Sequence, residues 1–372
     1  MTAAISDFVP PRPRPAVADE SLTRPDWTLA SPRDPARLWL DKNENTDPEL
    51  NRVVAAVMAS LPPEAYFTYP DSSALYAKLA AWVGVTPHNL LLAAGSDGVI
   101  RSVFEAYVGE GDTVVHTVPT FAMYSVYCRM YGARAIGLAY QPSENGPHLA
   151  ADTVIAAIAE HAPKVVCLPN PDSPTGTLFA PEQLEAIVTA AGRVGALVLV
   201  DEAYHPFHPE TVVPWIERHP NLVVARSTGK AWGTAGLRIG YAVASPPVTA
   251  TLHKVRPMYE VNTVAVHAFA RMLDHVSDMV ASVARLNAGK TEFLAAMEEL
   301  GLRTLKGAGN FMHVAFGPHA AAVHAALEPL VYYRKDFNEP CLKGFSRFSA
   351  TTPELFAPVI AAIRAAVQGT PE

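Results

Sequence analysis

Ala196-Leu197-Val198-Leu199-Val200-Asp201-Glu202-Ala203-Tyr204 is the stretch on which the fold turns. Its five apolar residues show no polar alternation, which suits a strand buried on both faces of a parallel sheet, and a carboxylate follows at once. Four more short apolar runs lie around it, at 90–94, 113–116, 164–168 and 222–225. Helix-compatible stretches at 99–107, 181–193 and 212–219 lie between and beyond them. Alternation of this kind predicts an α/β sheet with right-handed crossovers. Further on, 264–300 reads as one long alanine-rich amphipathic helix stopped by Gly301, and about 353–367 as a final helix. Short strands at 311–315 and 330–333 fall between, which describes a smaller α+β lobe after the large sheet.

The bulk properties agree. A chain of 372 residues exceeds one small module, and 49% hydrophobic with 17% charged residues describes a large core. The net charge of −7, with no lysine or arginine block, argues against a nucleic-acid surface. No apolar run reaches the roughly 18 residues of a membrane helix, and no signal-peptide pattern opens the chain, so no membrane association and a cytoplasmic location are expected. Cys128, Cys167 and Cys341 are odd in number and scattered, which supports neither a disulfide framework nor a metal site. Residues 1–35 carry Pro10, Pro11, Pro13, Pro15, Pro25, Pro32 and Pro35 and read as an extended arm, a tail more than a flap over a neighbour or an active site.

In an open α/β sheet, ligands bind beyond the carboxyl ends of the strands. Gly95-Ser96-Asp97-Gly98 follows the first run, where small residues and free helix amides suit an anion; the plain alternative is an N-cap at Ser96 or Asp97. Pro169-Asn170-Pro171-Asp172-Ser173-Pro174-Thr175-Gly176 makes a stiff polar turn, with or without a ligand against it. Asp201, directly after its strand, needs a cation or serves as a helix cap. Arg226-Ser227-Thr228-Gly229-Lys230 places an amine among small residues, with Arg238 close behind. Desolvation and nearby cations would lower that amine's pKa, and Ser227, Thr228 and Arg238 could hold a phosphate; the plain reading is a glycine-rich loop with a solvated lysine. Weak singly, the four signals stand in order at successive strand ends.

In that order they resemble the fold-type I pyridoxal-phosphate enzymes, within them the histidinol-phosphate aminotransferase-like branch, from about residue 38 onward. The resemblance implies a large domain (66–262) with a mostly parallel seven-stranded sheet between helices, and a small α+β domain from 36–65 and 263–372. It implies a homodimer with shared active sites, pyridoxal 5′-phosphate as cofactor, and no metal. By resemblance Lys230 forms the Schiff-base link to the cofactor, Asp201 pairs with the ring nitrogen, Tyr204 bonds the ring oxygen and Phe121 stacks on the ring. Gly95, Ser96, Asp97, Ser227 and Arg238 would cradle the phosphate, with Tyr69 of Tyr69-Pro70-Asp71 reaching in from the partner. Asn43 of Asn43-Glu44-Asn45 lies substrate-side, Arg347 would bind the substrate α-carboxylate, and Arg334 a distal phosphate. The activity implied is ping-pong amino transfer between an amino acid and a keto or aldehyde acceptor.

Four positions depart from the family pattern. Ser173 stands where an asparagine is usual, Gly229 where a serine is common, and Gly98 where a glutamate is common. Thr46-Asp47-Pro48 replaces a tyrosine-glycine segment associated with a phosphorylated imidazole substrate. These changes keep decarboxylation, elimination or cyclisation on the same fold as the alternative chemistry. A cofactor-binding regulator would need an appended DNA-binding domain, which the arm is too short to supply. His205 and His208 lack partners of a metal-ligand pattern and read as structural or substrate-side.

Overall fold

The computed structural model describes residues 11–20, 22–23 and 32–369. In chain order its strands are β1 (Leu38–Trp39), β2 (Leu90–Ala93), β3 (Thr113–Val118), β4 (Arg134–Ala139), β5 (Val165–Pro169) and β6 (Leu197–Asp201). β7 (Leu222–Ser227), β8 (Gly240–Ala244), β9 (Arg303–Leu305), β10 (Phe311–Ala315), β11 (Val331–Tyr332) and β12 (Phe345–Ser349) follow. Seven of them form one sheet in the order β2-β8-β7-β6-β5-β3-β4, parallel except for β8, which runs against both its neighbours. The expected α/β architecture with a mostly parallel seven-stranded sheet is therefore present, and β9, β10 and β12 make a separate three-stranded sheet.

Side-chain alternation explains why the apolar runs show no alternation of polar with apolar residues. Leu90, Val166, Val198 and Val224 enter one apolar cluster, while Leu91, Val165, Leu199 and Val223 enter another on the opposite face. Each residue thus finds a core whichever way it points. Fully burying a Val or Leu side chain is worth about 1.5–3 kcal/mol, so a polar residue in such a run would forfeit a large share of the sheet's stability.

Several boundaries differ from expectation. The helix expected at 99 begins one turn earlier, at Gly95, with Ala94 as its cap, so neither Ser96 nor Asp97 is the N-cap. The long helix of 264–300 is two, Thr263–Met272 and Val276–Glu299. The second starts after His275, whose ring meets Asp278 at 3.0 Å; no glycine or proline marks that break in the sequence. The stretch 212–219 holds only a 3-10 turn, Val213–Glu217, entered through Pro214. Most of the proline-rich arm lies outside the described residues. Where described, it departs from a free tail: Pro15–Ala18 form a short helix near the helix Met123–Tyr131, with Arg14 donating to the Met130 carbonyl at 3.4 Å.

Candidate active site

The carboxyl ends of β2, β5, β6 and β7 meet in one slot, a cavity of about 100 Å³ lined by Ser96, Phe121, Ser173, Asp201, Tyr204 and Lys230, among others. It opens into a cleft of about 420 Å³ that Asn43, Arg334 and Arg347 also reach. Sequence reasoning had named all nine of these residues.

Lys230 donates to the Lys42 carbonyl at 2.8 Å. Burial, then the guanidinium of Arg347, brings its ammonium down to about 8, with Arg238 adding to the same direction and Glu44 and Asp201 opposing it. Asp201, the last residue of β6, accepts from the Ala203 amide at 3.0 Å and the Tyr124 hydroxyl at 3.3 Å. Burial pushes its carboxyl up to about 7. Its carboxyl faces the slot that Lys230 also lines, and the Ala203 and Tyr124 hydrogen bonds and the Lys230 charge oppose that upward shift. Tyr204 accepts from the Asn43 amide group at 2.8 Å, and Asn43 itself sits at φ 56°, a left-handed conformation that asparagine tolerates better than most residues.

Arg347, on β12, is 5% exposed and donates to the Asp41 carbonyl at 2.9 Å and to Ser173 Oγ at 3.3 Å. Burial lowers it to about 10. The backbones of Arg334 and Arg347 pair with each other, at 3.0 and 2.8 Å, which brings the exposed Arg334 to the same cleft wall.

At the end of β2 the chain makes a seat for an anion. Gly95 has φ +81°, and a Cβ there would lie 2.8 Å from Arg238 Nη2, so only glycine lets the guanidinium close over the turn. Arg238, itself left-handed at φ 51°, donates to the Ala94 carbonyl at 3.3 Å. The N-terminus of the helix Gly95–Tyr107 lies at this point, and the first amides of a helix have no intrahelical partners.

The structure adds local contacts to four more of the residues named from the sequence. Asp97 accepts from the Tyr127 hydroxyl at 3.1 Å, so its carboxylate is turned to that tyrosine. Thr228 is fully buried and donates to the Ile239 carbonyl at 2.8 Å, so its hydroxyl is structural. Ser227 Oγ accepts from the Gly229 amide at 3.1 Å and stays at the strand end. Tyr69, which the resemblance assigns to the partner's site, is 77% exposed and stacks on Tyr259 with ring centroids 4.3 Å apart.

The departures also acquire reasons. Ser173 braces Arg347. A side chain at 229 would press on the Ala235 Cα at 3.2 Å. Asp47 caps the helix Pro48–Ala59, accepting from Glu49 and Leu50, and binds Arg285 at 2.6 Å. His205 is tied to Arg226 at 2.6 Å and His208 lies 3.6 Å from Glu210, both structural. Among the described residues there is no cluster suited to a metal ion, no helix long and apolar enough to cross a membrane, and all three cysteines are free and buried.

Sequence reasoning quoted Asp172 only as part of its turn. It is fully buried, pushed up to about 7 by burial, and accepts from Thr117, Thr120 and Tyr140, each at 2.8 Å. It thereby joins the loop carrying Phe121 to the turn carrying Ser173. A carboxylate inside a proline-rich stretch was the available signal.

A buried carboxylate and a lysine of lowered pKa lining one slot, with a glycine-arginine anion seat at the end of β2 beside Ser96 of that slot, fit a phosphorylated pyridine aldehyde. They define a pyridoxal-phosphate-dependent enzyme of the fold-type I class. The sequence matches the family described as "Aminotransferase class I and II" over residues 36–363. It is 34% identical to "Histidinol-phosphate aminotransferase 1" of Burkholderia lata over 89% of this chain and 92% of that one. A histidinol-phosphate aminotransferase of Roseiflexus castenholzii is 33% identical, covering 85% of each chain. The crystal structure of histidinol-phosphate aminotransferase from Sinorhizobium meliloti in complex with pyridoxal-5′-phosphate shares the fold, with a TM-score of 0.78 at 22% identity over 89% of this chain and 91% of that one. The chain belongs to the class I and II aminotransferases; it is an aminotransferase, and its cofactor is pyridoxal 5′-phosphate.

Proposed function

We propose that this aminotransferase acts on an amino compound whose far end carries a phosphate or carboxylate, and passes the amino group to a keto or aldehyde acceptor of similar charge. The observation that carries this reading is the backbone pairing of Arg334 with Arg347 on the cleft wall over Lys230. In a double-displacement reaction the same two guanidinium groups must serve both substrates, and paired arginines suit phosphate and carboxylate alike. The names of the relatives add weight to a phosphate.

When bound, the cofactor supplies an electron sink for the charge that builds at the substrate Cα. The chain's own groups do the rest. Lys230, brought down to about 8, is available as an amine near neutral pH to anchor the cofactor and to move the Cα proton. Asp201 would hold the proton of the ring nitrogen, Tyr204 with Asn43 the ring oxygen, and Phe121 would cover the ring face. Gly95, Ser96, Asp97 (through its amide), Ser227 and Arg238 would hold the phosphate. Arg347 orients the substrate carboxylate.

The same reading includes a homodimer, in which the exposed Tyr69 reaches the partner's phosphate seat. Tyr66, Phe67 and Met258, exposed near it in sequence or beside its stacking partner Tyr259, support such a contact. A cytoplasmic location and the division into 66–262 and 36–65 with 263–372 belong to it as well.

The test compares histidinol phosphate with histidinol as amino donors in single half-reactions. The phosphorylated donor is expected to react with the higher kcat/KM, and Arg334→Ala to remove about 10- to 100-fold of that advantage, since hydrogen bonds to charged groups are worth about 1.5–3 kcal/mol. Equal rates for both donors, or an R334A enzyme with undiminished preference, contradict a distal anion at Arg334.

A further inference from the structure

The anion seat has a second support that comes from far along the chain. Ala94, the residue that opens the helix Gly95–Tyr107, has no side chain able to cap it. Its amide donates instead to Glu260 Oε1 at 3.2 Å, across 166 residues. Its carbonyl accepts from Arg238 at 3.3 Å. One peptide unit on each side of Ala94 is therefore held by a charged side chain of opposite sign.

Gly98 makes room for this. A Cβ at 98 would lie 3.2 Å from Glu260 Oε1 and 3.1 Å from the Ala93 Cβ, so the carboxylate fills the space that a side chain in the first helical turn would take. The departure at Gly98 and the presence of Glu260 are two sides of one contact. A carboxylate beneath a helix N-terminus also meets the positive end of the helix dipole.

We propose that Glu260 is a positioning residue for the cofactor phosphate, acting through the Ala94 amide to hold the Gly95–Asp97 turn open for the anion. This rests on the assignment of that turn as the phosphate seat. Glu260 fixes the turn from one side and Arg238 from the other, and Glu260 is not among the residues lining the slot or the cleft.

The experiment uses the full chain stripped of cofactor and titrated separately with pyridoxal phosphate and with pyridoxal, which lacks the phosphate. Glu260→Ala is expected to weaken pyridoxal phosphate at least tenfold and to leave pyridoxal within about threefold, as loss of one charge-assisted hydrogen bond to the seat would do. Glu260→Gln keeps an acceptor for the Ala94 amide and is expected to stay within about threefold of wild type for both ligands. Equal weakening of both ligands by E260A would show a general structural role and overturn the proposal. So would tighter phosphate binding in both variants, which would show the carboxylate repelling the anion. Arg238→Ala separates the two claims: if it also leaves the preference for pyridoxal phosphate over pyridoxal unchanged, the seat itself is misassigned.

Discussion

Lys230→Ala is expected to lower amino-transfer turnover by about 10⁴-fold or more. One positioned acid–base group contributes up to about 10⁴-fold, and this lysine would also supply the covalent anchor. The fold has little reason to suffer. Lys230 Nζ donates to the Lys42 carbonyl, and its ammonium is held in an environment that disfavours the charge. Single-turnover kinetics with an amino donor, alongside a thermal melt of the cofactor-free chain, separate the two effects. Turnover within tenfold of wild type would place the reacting amine elsewhere.

Asp201→Asn tests the other pole of the site. Asparagine keeps the shape of the side chain but cannot stay anionic against a protonated ring nitrogen. Breaking a buried charge pair costs about 3–5 kcal/mol, so kcat/KM should fall by about 10²- to 10³-fold or more. The cofactor-free chain should respond in the opposite sense. With its carboxyl raised from 3.8 to about 7, Asp201 binds a proton in the folded state that the unfolded chain has already lost. Its contribution to stability therefore declines as pH rises from about 4 and is at its lowest above about 7. At pH 8 the D201N chain should be at least as stable as wild type, and the difference should vanish below pH 4. A large loss of stability at pH 8, matching the loss of activity, would make Asp201 a structural charge.

Both of these residues were legible because of where they stand. Asp201 and Lys230 each lie at the end of a run of side chains that find apolar partners on both faces of the sheet, and a charge in such a place asks for a reason. Arg334, Arg347, Asn43 and Tyr69 came by resemblance, since an arginine on a short strand looks alike whether it meets solvent or a substrate. The helix break at 273–275 was hidden because alanine-rich periodicity runs straight through it. β4, whose side chains are half-exposed or exposed, lacks a buried apolar run, and β8, though buried throughout, starts on a glycine after a glycine-rich loop that hides it in the sequence. Glu260 and Asp172 stayed out of reach for another reason. Their meaning lies in partners such as Ala94 and Tyr140, which only the folded chain brings to them.

The most direct measurement is a half-reaction on the purified protein loaded with pyridoxal phosphate. One amino compound is added without an acceptor, and the cofactor spectrum and released carbon dioxide are followed together. Conversion of the bound cofactor to pyridoxamine phosphate, one equivalent of oxo product per site and no gas, is the predicted result. Carbon dioxide release with the cofactor returned unchanged, or a protein that takes up no cofactor, would contradict it.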